Sequence, residues 1–144
     1  MRRAPVSLKP DHALDATRVS IGKEKLVYLL IAAKRLKYPR GKSRIAYIGT
    51  TRQGLSRIAQ SVATRADKIL GLPGVTSFHA RVVTCKPRQR VKTWLKLERA
   101  LLVAFKDRFG KVPCCNSHGK KMKAADCFDY FRRARIEDIV DDLS

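Results

Sequence analysis

Acidic residues are scarce in this chain. Only 12 of its 144 residues are Asp or Glu, against 32 Lys or Arg, which leaves a formal charge of +20. Self-repulsion at that charge works against a compact state unless a polyanion offsets it, and nucleic acid is the commonest polyanion. Long hydrophobic runs are also missing. The longest, Leu26 to Ala33, stops after eight residues and is too short to cross a bilayer. No long helix reads as basic on one face and apolar on the other, which disfavours membrane-surface binding. Met1-Arg2-Arg3 leads into Pro5, Lys9, Asp11 and His12 without an apolar stretch, so no signal peptide is read there. A cytoplasmic, nucleoid-associated location is the expectation. Cys85, Cys114, Cys115 and Cys127 are then expected as buried thiols in a reducing compartment. Internal repeats and low-complexity tracts are absent.

What is present suits one ordinary domain. Apolar residues make up 44% of the chain, which argues against disorder. Residues 1–23 read as a basic arm punctuated by Pro5 and Pro10. Leu26 to Ala33 and Ser43 to Gly49 read as strands of an antiparallel hairpin. Between them lies a basic stretch, 34–44, read as a long tip carrying Lys34, Arg35, Lys37, Arg40, Lys42 and Arg44. On these strands Tyr28 should share a face with Leu26 and Leu30, and Tyr47 with Ile45 and Gly49. A helix is expected over Leu55 to Leu70. Its apolar side holds Leu55, Ile58, Ala59, Val62, Ala63, Ala66, Ile69 and Leu70, and its polar side Arg57, Gln60, Ser61, Thr64 and Lys68. A third strand is expected over Ser77 to Cys85 and a second strong helix over Val91 to Phe109, closed by Gly110 and Pro113. A last helix over Ala124 to Asp138, in a C-terminal helical tail of 120–144, reads as packing or as a tail. The fold class is α+β: a small antiparallel sheet of about three strands flanked by helices.

Glu98 is the most informative single residue. It falls between Phe105 and Phe109 on the apolar stripe of the second helix, with Trp94, Leu97 and Leu101. A carboxylate there costs several kcal/mol unless a cation or hydrogen bonds compensate. It is either a metal ligand at a cleft wall or half of an ion pair with an arginine. Arg57, one turn before Ser61, is either an anion contact or a solvated surface arginine.

Taken together, these residues resemble the GIY-YIG nuclease family over 24–119. Tyr47-Ile48-Gly49 stands as the second signature triplet and Leu26-Val27-Tyr28 where the first would be. Arg57 follows on the next helix. Glu98 lies in LERALLVAFKDRFG, and Pro113 and Asn116 follow in GKVPCCNSHG. Three departures are visible. Leu26 replaces the first glycine, the 34–44 insertion lengthens the hairpin, and Ser61 stands where many members carry histidine, for which His79 is a possible substitute.

The resemblance implies a DNA endonuclease leaving 5′-phosphate and 3′-hydroxyl ends. It implies Mg²⁺ (or Mn²⁺) held by Glu98, Arg57 on the scissile phosphate, Tyr28 as general base or water positioner, Tyr47 in support and Asn116 orienting the site. Gly49, Ser61 and His79 are supporting candidates. DNA contacts are expected from Lys34, Arg35, Lys37, Arg40, Lys42, Arg44, Arg57 and Lys68. Specificity would come from the arm, the insertion, the tail, a homodimer or a partner. Zinc is not expected: adjacent Cys114 and Cys115, with His118 and Cys127, fit zinc-ligand spacing poorly. The alternative is a non-catalytic nucleic-acid-binding protein on the same scaffold.

Overall fold

The computed structural model describes residues 3–12, 25–117 and 126–144. These form β1 (Leu26–Tyr38), β2 (Gly41–Thr51), α1 (Gly54–Leu70), β3 (Phe78–Val83), α2 (Thr93–Phe109), α3 (Cys127–Tyr130) and α4 (Arg133–Leu143). The fold is α+β, with an antiparallel sheet in the order β2-β1-β3. Among the described residues no helix is long and apolar enough to cross a membrane.

Strand β1 is buried continuously from Leu26 to Ala32 because it is central and covered on both faces. Leu26, Tyr28, Leu30 and Ala32 pack with Ile58 and Ile69 of α1. Val27, Leu29 and Ile31 pack with Leu101 and Phe105 of α2 and with Ile136 and Val140 of α4. The sheet therefore separates two cores, and alternation along β1 assigns each side chain to one of them.

The hairpin differs from the sequence expectation. The basic stretch is strand rather than loop, and the turn is only Pro39 and Arg40, with Tyr38 paired to Gly41. Tyr38 explains the extension. Its ring meets Phe105 edge-on at 5.0 Å and Phe109 at 5.9 Å, anchoring the far end of the hairpin on α2. Arg40 also belongs to this junction. Its N–H donates to the Phe109 carbonyl (3.0 Å), and its guanidinium donates to the carbonyls of Lys106 (3.3 Å) and Asp107 (2.8 Å). A cation at the last carbonyls of α2 is well placed against the helix dipole, and Gly110, at φ 85°, ends the helix beside it. Arg40 is thus engaged in closing α2, with its side chain exposed at the hairpin tip.

The expected last helix is two helices. Phe131 and Arg132 are extended (φ −132° and −63°) and break the run between α3 and α4. Phe128 and Phe131 pack on the α2 core, and Ile136 and Val140 enter it, so of the two readings of this segment packing is the one that 126–144 follows. Residues 1–2 and 13–23 of the expected arm, residue 24, and 118–125, including His118, lie outside the described residues.

Candidate active site

A β-bulge brings Tyr28 and Tyr47 together. Leu30 pairs with Tyr47 and Ile31 with Ile45, which leaves Ala46 as an extra residue in β2. The bulge shifts the phase of alternation. Ile45 and Ile48 face α2, whereas Ala46 and Tyr47 face α1. Tyr47 therefore does not share a face with Ile45, as strict alternation implied. It shares one with Tyr28.

The outer edge of β2 is held by the loop after α2. The Cys115 N–H donates to the Ala46 carbonyl (2.9 Å). Asn116 then behaves as a short strand: its Oδ1 accepts from the Ile48 N–H (3.0 Å) and its Nδ2 donates to the Ile48 carbonyl (2.8 Å). An otherwise open strand edge is satisfied this way. Asn116 acts on the site by fixing the backbone between Tyr47 and Gly49.

On the α1 face the hydroxyls converge. The rings of Tyr28 and Tyr47 lie 5.9 Å apart. The Tyr28 hydroxyl donates to Ser61 Oγ (2.5 Å). The Arg65 guanidinium donates to Ser61 Oγ (2.7 Å) and to the Tyr47 hydroxyl (2.9 Å), and sits 3.8 Å from the centre of the Tyr47 ring. Gly49 makes room for this arrangement. A Cβ there would lie 2.5 Å from Tyr47 Cε1, 2.8 Å from its hydroxyl and 3.0 Å from the Tyr28 hydroxyl.

Arg65 is the residue that sequence reasoning passed over. The inward face of α1 carries Gly54, Ile58, Ser61 and Ile69, with Val62 and Arg65 half-buried, while Ala59, Ala63 and Leu70 are exposed. Ser61 is thus buried instead of lying on the polar side, and its hydrogen bonds to Tyr28 and Arg65 offset the cost. The signal was the spacing: Arg57, Ser61 and Arg65 fall at four-residue steps along one ridge. Arg57 is at the exposed end of that ridge, where it donates to Gln60 Oε1 (2.6 Å), and it does not enter the tyrosine cluster.

Glu98 is buried on α2, as its place in the apolar stripe implied. It is close enough to act on Tyr47 electrostatically. Burial pushes the Tyr47 hydroxyl up to about 12. The neighbouring Tyr28 and the negative charge of Glu98 add to the rise, and Arg65 opposes it. Tyr47 is therefore a neutral hydrogen-bond donor across the physiological range. His79 sits on β3 opposite Ile31, exposed and separated from β2 by the central strand. Partial burial and Arg81 hold its pKa down, and it takes no part in the cluster.

Lys34, Arg35, Lys37, Lys42, Arg44 and Lys68 are all exposed. The Lys34 ammonium lies over Gly74, at the space a Cβ there would fill. Lys37 pairs directly with Lys42 across the hairpin. Like charges opposite one another weaken a ladder.

Among the described residues no group of three or more His, Cys, Asp or Glu is arranged to hold a metal ion. A site built on Glu98 would supply one carboxylate, which fits an ion such as Mg²⁺ that keeps most of its waters. Of the cysteines, Cys127 is buried but Cys114 is exposed, a correction to the expectation of buried thiols. The Cys114 and Cys115 sulfurs lie 3.8 Å apart. A hydrogen bond from the Cys115 thiol lowers Cys114 to about 6, helped by Tyr38 and the charge of Lys68, while Cys115 is raised by the same contact.

Compared with family models, curated proteins and solved structures, the chain matches none.

Proposed function

We propose that this protein is a metal-dependent endonuclease that hydrolyses DNA phosphodiester bonds on a GIY-YIG-like core. The observation that carries the reading is the convergence of Tyr28, Tyr47, Ser61 and Arg65 on one side of the sheet, with the buried Glu98 carboxylate within electrostatic reach. A packing cluster has no need of two tyrosine hydroxyls, a serine and a guanidinium in contact. The net charge of +20 supports a polyanionic substrate.

In this mechanism Arg65 has N–H donors left after its two bonds, and these address the scissile phosphate and stabilise charge in the transition state. Tyr47, held neutral, donates to a phosphate oxygen. Tyr28 directs its proton to Ser61, which leaves its lone pairs as acceptors to orient the attacking water. Gly49 and Asn116 keep the tyrosines in register. Glu98 would hold Mg²⁺ or Mn²⁺, which when bound polarises a phosphate oxygen and acidifies water. Arg57, Lys68 and the hairpin cations would hold the flanking backbone. The products would carry 5′-phosphate and 3′-hydroxyl ends.

The test is incubation of the purified protein with supercoiled plasmid in Mg²⁺ and in EDTA, beside Glu98→Ala. Metal-dependent nicking or linearisation by the wild type, lost in a folded, DNA-binding Glu98→Ala, is the expected result. Normal cutting by Glu98→Ala would overturn the metal assignment. A second reading, a non-catalytic nucleic-acid-binding protein, is favoured by one observation. The Tyr28 hydroxyl is engaged as a donor and Tyr47 is held protonated, so neither tyrosine stands ready as a base. Salt-sensitive binding without cleavage of any substrate would select it.

A further inference from the structure

A cleft of about 570 Å³ opens beside β3, between it and the α3–α4 segment. That volume is within the range of about 300–1,000 Å³ usual for ligand sites. The cleft lies on the far side of the molecule from the tyrosine cluster: β3 is the edge strand opposite β2, and the floor includes Leu97 and Ile139 of the α2–α4 side.

Its chemistry is uneven. Arg81, Arg132 and Arg135 line it, against the single carboxylate of Asp142. All three arginines are exposed, and none is ion-paired among the described residues, where Asp107, Asp126, Glu137 and Asp141 pair with other cations. The rings of Tyr130 and Phe131 stand in the same wall. Two further cations, Arg88 and Lys96, lie 5.6 Å and 5.9 Å from the centre of the Tyr130 ring. Uncompensated guanidinium groups next to aromatic faces and an apolar floor match an unpaired nucleotide, whose phosphate takes forked hydrogen bonds and whose base stacks. An acidic peptide would satisfy the arginines but leave the aromatic wall without a flat partner.

We propose that this cleft is a second nucleic-acid site, which holds an unpaired nucleotide of a single strand between the three arginines and the Tyr130–Phe131 wall. The site rests on the nucleic-acid part of the functional reading and not on cleavage, so a failure of catalysis leaves it testable.

The experiment measures binding of the full-length chain to a fluorescent thymidine oligomer of about ten nucleotides in the absence of metal. Arg132→Ala/Arg135→Ala is compared with the charge-matched Lys106→Ala/Lys111→Ala. Arg132→Lys/Arg135→Lys keeps the charge and removes the forked geometry. The expected result is a loss of about tenfold or more for the arginine-to-alanine pair and of under about threefold for the lysine control. The arginine-to-lysine pair should fall between them. A photoreactive base in the oligomer should cross-link to the peptide containing Tyr130 and Phe131. All four residues changed are exposed, and a circular-dichroism melt checks that each variant folds. Equal losses in the two alanine pairs, or cross-links confined to other peptides, would overturn the site. Competition by polyglutamate as effective as by the oligomer would assign the cleft to an acidic protein instead. Thymidine monophosphate binding as tightly as the oligomer would replace the strand with a free nucleotide.

Discussion

The two faces of the sheet are built from different chemistry. On the α2 side, Tyr38, Phe105 and Phe109 pack ring against ring at 4.7 to 5.9 Å over Val27, Leu29, Ile31, Ile136 and Val140. On the α1 side, the aliphatic floor of Leu26, Leu30, Ile58 and Ile69 carries a polar layer in which Tyr28, Tyr47, Ser61 and Arg65 bond to one another. Packing accounts for the aromatic part of the first face, whose helix α2 also carries the buried Glu98. The second retains hydroxyls and a guanidinium that an apolar core of the same volume would not need, which is the contrast the proposed function rests on. On the proposed function, the α2 side supplies most of the stability together with the Glu98 carboxylate, and the α1 side supplies the hydroxyls and the guanidinium.

The sharpest way to break that division is to cut into each face separately. Phe105→Ala should lower stability by about 3–5 kcal/mol, because Phe105 is fully buried at the centre of the aromatic packing. A urea or thermal melt reads the loss. DNA cutting, measured at a temperature where the variant is still folded, should change little. On the other face, Arg65→Ala should reduce cleavage by about 10²-fold with a smaller change in melting temperature. Arg57→Ala, at the exposed end of the same ridge, should weaken DNA binding without that loss of turnover. Equal kinetic effects from the two arginines would move the phosphate contact back toward Arg57.

Much of this was readable in the chain. The continuous apolar run at Leu26, the helix stop at Gly110 and the carboxylate in the stripe of α2 each carry a local signal, and each element formed where that signal placed it. Tyr47 was assigned to the wrong face because a bulge is set by pairing across strands, not by the alternation within one. Ala46 is extruded against Leu30 and Ile31, and its carbonyl is taken by a residue almost seventy positions later. Arg65 was hidden for a related reason. The inward face of α1 is fixed by what Tyr28 offers it, so a serine is buried and an arginine half-buried while Ala59 and Ala63 are exposed. The strand character of the basic stretch depends on Tyr38 finding Phe105 and Phe109, a contact between remote parts of the chain.

The smallest expected effect lies where the two faces meet, at the loop that closes β2. Cys114, lowered to about 6, should be mostly thiolate above that pH, while Cys115 is raised by the hydrogen bond it gives. Alkylation by iodoacetamide, followed by mass spectrometry, should therefore rise through pH about 6 at Cys114 and lag at Cys115. Equal labelling at neutral pH would contradict the arrangement.

The most direct measurement is single-turnover cleavage by Tyr47→Phe. This change removes one hydroxyl and keeps the ring that Arg65 covers. With the melting temperature and DNA affinity close to wild type, the expected result is a fall in cleavage rate of about 10²-fold in Mg²⁺. A variant that cuts DNA at the wild-type rate would show that the α1 face only packs, and would contradict the assignment of chemistry to it.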